Sequence, residues 1–337
     1  MNRKILVVCD PEQEYAERLA EYLGQRQGFP FEVHIFREMD RLLAFAGQSA
    51  EEIELLLVAE SAYCKELEEL SGIHIMILNE SGKVTYPAYQ NVDKYQTAEN
   101  IVREVMGYCA EHLAGQTGGA FLRTGTKLIG LYTPVGRCLQ TGFALTLGQL
   151  LARKGRVLYL NLEGYSGFSR MRLLEGGTGL AELIYYAQNV QTRLIYKVES
   201  AVRKFGELEY VPPFFSMEDL NAVSGKEWKE LLEQLSEKCR YDYILLDLSD
   251  HIRGLFEVLK MCTSVYTLVE DQKTAQAKLA EYEEDLKECG YGAVWEKTKQ
   301  LRLPWMEQLP QDFSLLTVSA LADYIRRELK NDGYGAL

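Results

Sequence analysis

The chain has 337 residues, of which 47% are hydrophobic and 26% are charged, a composition that allows two globular domains. No apolar run approaches the roughly 18 residues that a membrane span needs. Its seven cysteines show no paired spacing, which favours reduced thiols in a cytoplasmic protein and argues against a zinc site.

Most of the net charge of −12 lies in the first 115 residues, which contain twice as many acidic as basic residues. This acidity argues against nucleic acid as a partner, because nonspecific DNA binding needs clustered Lys and Arg. Two interpretations stay open. The charge keeps the protein soluble, or it forms a docking face for a basic partner.

The first third of the chain alternates between apolar runs and segments of helical spacing. The first apolar run ends in charge, so it is interpreted as a strand and not as a signal peptide. The alternation predicts a small doubly wound sheet. Strands are predicted at 4–9, 31–36, 53–59 and 73–78, and helices at 14–24, 40–47, 65–70 and 97–114.

Residues 1–113 resemble a response-regulator receiver domain in this order of elements and in the segment VDKYQTAENIVREV. A receiver holds Mg²⁺ in an acidic cluster and is phosphorylated on an aspartate at the end of its third strand. Asp10 follows the first strand, but the third ends in Ala59 and Glu60. Alanine accepts no phosphoryl group, and Glu60 lies one position late. The resemblance implies a flavodoxin-like pseudo-receiver that offers a surface for protein contacts; a generic flavodoxin-like module is the alternative.

Residues 114–126 are rich in Gly and Thr and predict a linker between domains. After it, the segments LIGLY, VLYLNLE and YDYILLDLSD predict buried strands, and helical segments separate them. The final segment LLTVSALADYIRRELK predicts an amphipathic helix, for which packing on the sheet is the more common explanation than membrane contact.

Three segments in this order resemble the ParA/MinD class of deviant Walker ATPases: the loop TPVGRCLQTG, then VLYLNLEGYSG, then YDYILLDLSD. The resemblance covers about residues 125–330 and implies a P-loop NTPase-like (SIMIBI) α/β domain at 127–337 with a doubly wound, mostly parallel sheet. Together with the front domain, the chain resembles the TadZ/CpaE subgroup. That resemblance implies a role in placing Tad-type (Flp) pili at the cell pole.

The loop departs from the family's Lys-Gly-Gly-x-Gly-Lys-Ser/Thr pattern. Val135 and Gln140 stand where the family has lysines, and Leu139 stands where it has glycine, so a tight phosphate nest with two positive charges is not expected. At the switch I strand, Asn161 replaces an aspartate and Glu163 is displaced from it. The candidate nucleotide-binding residues are therefore vestigial: Gly136, Arg137, Cys138, Leu139, Gln140, Thr141 and Gly142.

Thr141 and Asp247 are the candidate Mg²⁺ residues, since they occupy the family's Walker A and Walker B positions. Without both lysines and the switch aspartate, ATP hydrolysis at a useful rate is not expected. Two simpler interpretations stay open: Thr141 caps a helix, and Asp247 caps a turn. Arg137 either contacts a phosphate or points to solvent.

The sequence thus predicts a non-catalytic or weakly catalytic ParA/MinD-like protein, a cytoplasmic localisation or assembly factor that reaches a pole or membrane through partners. The residues themselves require no cofactor, while the resemblance implies ATP and Mg²⁺. A homodimer independent of ATP is expected, with Val135, Cys138 and Leu139 at its face. The alternative is a genuine ATP-binding or ATP-hydrolysing protein whose loop uses Arg137, Gln140 and Thr141.

Overall fold

The computed structural model describes residues 4–26, 28–113, 125–136, 138–168, 179–304, 310 and 312–334. Contacts divide the chain into two compact units, one of residues 1–119 with 192–200 and one of residues 120–191 with 201–337. Each unit has its own β-sheet. Across the described ranges, no helix combines the length and the apolar character that crossing a bilayer requires.

The sheet of the first unit has five parallel strands in the order β2-β1-β3-β4-β5, which is the flavodoxin-like doubly wound order. Its central strands are buried on both faces, as the continuous apolar runs predict. The elements are β1 (Ile5–Cys9), α1 (Gln13–Gln25), β2 (Glu32–Phe36), α2 (Met39–Ser49), β3 (Ile53–Ala59), β4 (His74–Asn79), β5 (Gln90–Asp93) and α3 (Ala98–His112).

Two connections of this unit differ from the sequence prediction. The helix predicted at 65–70 is a 3₁₀ turn (Lys65–Glu69), because Leu67 is its only buried residue and one apolar contact does not hold an amphipathic helix. Between β4 and β5 the described chain has no helix at all, and the short edge strand β5 was not predicted.

The second unit has a seven-stranded sheet in the order β12-β11-β6-β10-β7-β9-β8. Every described pairing is parallel except that of β8 with β9, which confirms the predicted mostly parallel α/β architecture. The elements of the chain from β6 onward are β6 (Lys127–Leu131), α4 (Gln140–Ala152), β7 (Val157–Leu162), α5 (Leu180–Asn189), α6 (Leu194–Ala201), β8 (Arg203–Phe205), β9 (Leu208–Tyr210), α7 (Met217–Ala222), α8 (Gly225–Lys238), β10 (Tyr243–Leu248), α9 (Leu255–Met261), β11 (Ser264–Leu268), α10 (Lys273–Glu288), α11 (Gly292–Glu296), β12 (Thr298–Leu301) and α12 (Ala320–Glu328).

Most of α6 groups with the first unit, although its sequence lies inside the range 127–337 that was assigned to the second domain. The Tyr196 ring stacks on Phe31 with centroids 5.7 Å apart. Glu199 forms a buried ion pair with Arg26 at 3.3 Å, and Arg193 donates to the carbonyl of Glu111 at 2.8 Å. These contacts join residues far apart in sequence, so local patterning does not reveal them.

Three adjacent parallel strands, β6, β10 and β7, position the candidate site of the second unit. Their carboxyl ends lie at one edge of the sheet, where α/β proteins bind ligands. The helix α4 follows β6, and its residues from Phe143 to Leu151 are buried without exception. This packing fixes the start of α4 against that edge.

Candidate functional site

The loop between β6 and α4 turns sharply at two positions. Gly136 has φ +71° and Leu139 has φ +58°, and Leu139 is the one non-glycine residue with positive φ in the described chain. A leucine in the left-handed region costs free energy that the surrounding fold must offset. The loop therefore has a strained turn at the residue that precedes the helix. Arg137 lies outside the described residues.

Gln140, the first residue of α4, is bonded to the end of β10. Its Nε2 donates to Asp247 Oδ1 at 2.7 Å and to the carbonyl oxygen of Leu248 at 2.9 Å. A side-chain amide has two N–H donors, and both are used in these contacts. The Gln140 side chain therefore has no donor left for a phosphate in this arrangement.

Asp247 is fully buried at the end of β10. Its Oδ2 accepts from the hydroxyl of Tyr159 at 2.8 Å and from Asn161 Nδ2 at 3.4 Å. Burial raises the pKa of Asp247, and the hydrogen bonds from Gln140, Tyr159 and Thr141 counteract part of that rise. The carboxyl group is thus held by side chains of β7 and α4.

Asn161 links its neighbours on β7. Its Nδ2 donates to the Tyr159 hydroxyl at 2.9 Å, and its Oδ1 accepts from the backbone N–H of Glu163 at 3.2 Å. The amide is buried and has no basic atom, so it holds the strand end together and cannot accept a proton from a water molecule.

Thr141 and Glu163 complete the group. The Thr141 hydroxyl lies close to the carboxyl groups of Glu163 and Asp247, and its interaction lowers the pKa of each. Burial, followed by the nearby charge of Asp247, raises the pKa of Glu163. The structure therefore brings Gln140, Thr141, Glu163 and Asp247 together, although they come from three separate sequence segments.

A cavity of about 390 Å³ opens beside this group. Glu163 and Asp250 give it an acidic wall, and its described lining contains no Lys or Arg. Asp250 accepts from the Tyr132 hydroxyl at 2.6 Å. The remaining lining residues are Thr133, Gly136, Cys138, Leu139, Gln140, Thr141, Gly142, Leu248 and Ser249.

The donor set fits Mg²⁺ better than it fits phosphate. Thr141, Asp247 and Glu163 offer a hydroxyl and two carboxylates, the hard oxygen ligands that Mg²⁺ prefers. A cation would also offset the burial that raises both carboxyl pKa values and the charge of Asp247 that adds to the rise at Glu163. No group of three or more His, Cys, Asp or Glu able to hold a metal occurs among the residues with described positions. Further ligands would therefore have to come from water or from a bound molecule.

The apolar residues of the loop differ in exposure. Cys138 is buried, and Val135 packs against the core of the unit, whereas Leu139 is 47% exposed. Two residues that the sequence analysis missed lie in loops at the same edge of the sheet: Tyr165 after β7 and Phe215 after β9, with exposed fractions of 81% and 93%. Their signal in the sequence was an aromatic residue within two positions of Gly or Pro.

In the first unit, Ala59 is buried at the end of β3. Glu60 turns toward the loop after β4, where its carboxylate accepts from the backbone N–H groups of Glu80 and Ser81 at 2.9 and 3.0 Å. The hydroxyls of Thr85 and Ser81 also donate to it. The hydrogen bond from Thr85, followed by that from Glu80, lowers the pKa of Glu60 to about 2. Glu60 thus anchors a loop. Sequence reasoning missed Lys94, a buried cation of this unit.

No protein-family model matches the chain, and no curated protein matches it. Its structural neighbours include ParA/MinD ATPases. A ParA family ATPase from Chlorobium tepidum TLS has 16% identity and a TM-score of 0.47, with 60% of this chain and 96% of that chain covered. The MinD cell division protein of Aquifex aeolicus has 13% identity and a TM-score of 0.42, with 59% and 77% covered.

A putative plasmid partition protein from Borrelia burgdorferi B31, bound to AMPPNP, has 13% identity and a TM-score of 0.43. The alignment covers 61% of this chain and 100% of that chain. At these identities and scores, the neighbours assign neither a family nor a function to the chain.

Proposed function

We propose that residues 127–337 form a ParA/MinD-like domain without useful ATP turnover, and that the chain is a localisation or assembly factor. The observation that carries the proposal is the pair of hydrogen bonds from Gln140 to Asp247 and Leu248. At the position where the resemblance implies a phosphate-binding lysine, this chain has a neutral amide whose donors are used internally. Phosphoryl transfer depends on positioned positive charge.

The remaining departures support the same conclusion. Val135 packs against the core of the unit in place of the signature lysine, and Asn161 has no basic atom at the switch I position. The finer parts of the proposal depend on the resemblance alone. Residues 1–113 form a pseudo-receiver, and residues 114–126 form a linker. The protein acts in the cytoplasm through protein partners and has a TadZ/CpaE-like role in assembling Tad pili at a cell pole.

The proposed factor self-associates without nucleotide. Three exposed apolar side chains lie at the carboxyl edge of the second sheet: Leu139, Tyr165 and Phe215. The loops that contain Tyr165 and Phe215 are in contact, because a Cβ on Gly164 would lie 3.1 Å from Met217 Cγ. Exposed apolar groups at one edge favour a protein interface. We assign this edge to a second copy of the chain, since apolar contact can replace a nucleotide held between subunits.

Light scattering with and without ATP and Mg²⁺ tests the proposal. We expect a dimer in both conditions, weakened at least tenfold in affinity by Leu139→Asp or Phe215→Asp. Aspartate tolerates the left-handed φ of position 139 better than leucine does, so the first change adds no backbone strain. Val84→Asp, at an exposed apolar residue of the first unit, is the matched control. A chain that is monomeric throughout, or dimeric only with ATP, contradicts the proposal.

A second candidate function is Mg²⁺-dependent ATP binding without turnover. The observation in its favour is the oxygen set of Thr141, Glu163 and Asp247 beside a cavity of about 390 Å³. Calorimetric titration with ATP and Mg²⁺ distinguishes the two. Saturable binding that Asp247→Asn weakens favours this candidate, and no binding up to millimolar ATP excludes it.

A further inference from the structure

The first unit holds a buried ammonium group at the carboxyl edge of its sheet. Lys94 follows β5, its side chain is 1% exposed, and its backbone N–H donates to the carbonyl of Asn79 at 2.9 Å. The Nζ atom lies 2.8 Å from Asp10 Oδ2, 2.7 Å from Glu80 Oε1 and 3.2 Å from Glu12 Oε2. Three carboxylates from two different loops therefore converge on one cation.

The ammonium group is surrounded by these acids. Its Nζ donates a hydrogen bond to Glu80 Oε1 at 2.7 Å and forms ion pairs with Asp10 and Glu12. The outer oxygens of two of the acids are also used: Asp10 Oδ1 accepts from the backbone N–H of Glu12 at 2.8 Å, and Glu80 Oε2 accepts from that of Ser61 at 3.0 Å. The acids are thus fixed in position around Nζ.

Two tyrosines enclose the same group. The rings of Tyr15 and Tyr95 lie 4.8 and 5.8 Å from Nζ, and the Tyr15 hydroxyl donates to the carbonyl of Lys94 at 2.9 Å. Burial alone would lower the pKa of Lys94, but its interactions with the carboxylates of Asp10 and Glu80 outweigh burial, and the pKa is raised. The ammonium group therefore stays charged at neutral pH.

Mg²⁺ and Ca²⁺ take oxygen ligands from several loops at such an edge, but the described carboxylates of this unit surround Nζ and form no group that could hold a metal ion. We propose that the Lys94 ammonium is the resident cation of this site and occupies the position of a divalent ion. The net charge of this group of side chains is then constant, and the first unit works without a divalent cation. Its neighbour β3 ends in Ala59, which adds no ligand.

Removing the ammonium group should uncover the site. In the full chain, Lys94→Met keeps the apolar stem and leaves three uncompensated carboxylates, whereas Lys94→Arg keeps the charge and is the matched control. Tb³⁺ is the probe, since nearby tyrosines sensitise its luminescence. We expect Lys94→Met to bind one Tb³⁺ ion more per chain than the wild type, to lose that ion to excess Mg²⁺ or Ca²⁺, and to gain more Tm from Mg²⁺ than the wild type.

Tb³⁺ binding by the second unit is the same in the wild type and in both variants. The informative quantity is therefore the difference in Tb³⁺ stoichiometry between each variant and the wild type. Equal Tb³⁺ stoichiometry in wild type and Lys94→Met would overturn the proposal. A second measurement needs no change at Lys94: Glu80→Gln in the otherwise native chain should lower Tm and leave Tb³⁺ binding unchanged. Loss of a Tb³⁺ site in that variant would mean that a metal already binds beside Lys94, which also overturns the proposal.

Discussion

The Nε2 atom of Gln140 lies 2.7 Å from Oδ1 of Asp247, so the first residue of α4 is bonded directly to the end of β10. In a site built for phosphate, this position would hold a positive charge directed at the ligand. Here the neutral amide stabilises a buried carboxyl group of the protein itself. The contact joins the start of α4 to the end of β10, and the first prediction tests it.

Gln140→Ala should lower the free energy of unfolding by about 1–3 kcal/mol, because it removes the side-chain amide that donates to Asp247 Oδ1 and to the carbonyl oxygen of Leu248. Urea unfolding measures the change. The control is Gln25→Ala, which removes an exposed amide of α1 that is bonded only to Glu21 among the described contacts, and should stay within about 0.5 kcal/mol. Equal losses of unfolding free energy in Gln140→Ala and Gln25→Ala would show that the Gln140 contact is not formed in solution.

The pair of Glu163 and Asp247 predicts a pH dependence of stability. Burial and the charge of Asp247 raise the pKa of Glu163 above its ordinary 4.5, so the folded state binds a proton more tightly than the unfolded state does. The resulting stabilisation is complete below about pH 4.5 and is lost as the pH rises through the folded-state pKa.

Glu163→Gln should remove this contribution because glutamine does not titrate. The stability of the wild type relative to the variant should fall between about pH 5 and about pH 8, as measured by urea unfolding across that range. All other titrating groups are common to the two proteins. If the difference in unfolding free energy between wild type and variant were constant with pH, or increased in favour of the wild type as the pH rises, the result would be inconsistent with a raised pKa of Glu163.

The lowered pKa of Glu60 predicts a contribution to stability that is lost as the pH falls, opposite to the contribution of Glu163. The pKa of Glu60 is lowered to about 2, so its contribution to stability is present above its ordinary value of 4.5 and is lost as the pH falls toward about 2. Glu60→Gln should also speed hydrogen exchange at the amides of Glu80 and Ser81, which donate to its carboxylate. Glu69→Gln, an exposed change on the next turn, should leave both amides unchanged.

Much of the fold and part of the site follow from the sequence. Apolar runs located β1, β3, β6, β7 and β10, because strands buried on both faces must be apolar throughout. The resemblance paired Thr141 with Asp247 as candidate Mg²⁺ residues, whereas the proximity of Glu163 to Asp247 was not predicted. Gln140 was correctly identified as lacking charge.

Other features depend on side-chain directions and distant contacts that no local pattern encodes. Tyr159 lies in an apolar strand, and nothing in that run shows that its hydroxyl binds Asp247. Lys94 follows a short polar strand and has the sequence signature of a surface residue, yet it is buried against three acids. Residues 192–200 belong to the first unit and contact the rest of it across long sequence separations, 82 positions from Arg193 to Glu111 and 173 from Glu199 to Arg26.

The measurement that tests the central claim most directly is steady-state phosphate release from ATP with Mg²⁺, by the wild type and by Asp247→Ala at equal concentration. Both proteins should release no more phosphate than a protein-free blank, since Gln140 supplies no charge and Asn161 no base. Phosphate release by the wild type that Asp247→Ala abolishes would contradict the account and establish the chain as an ATPase.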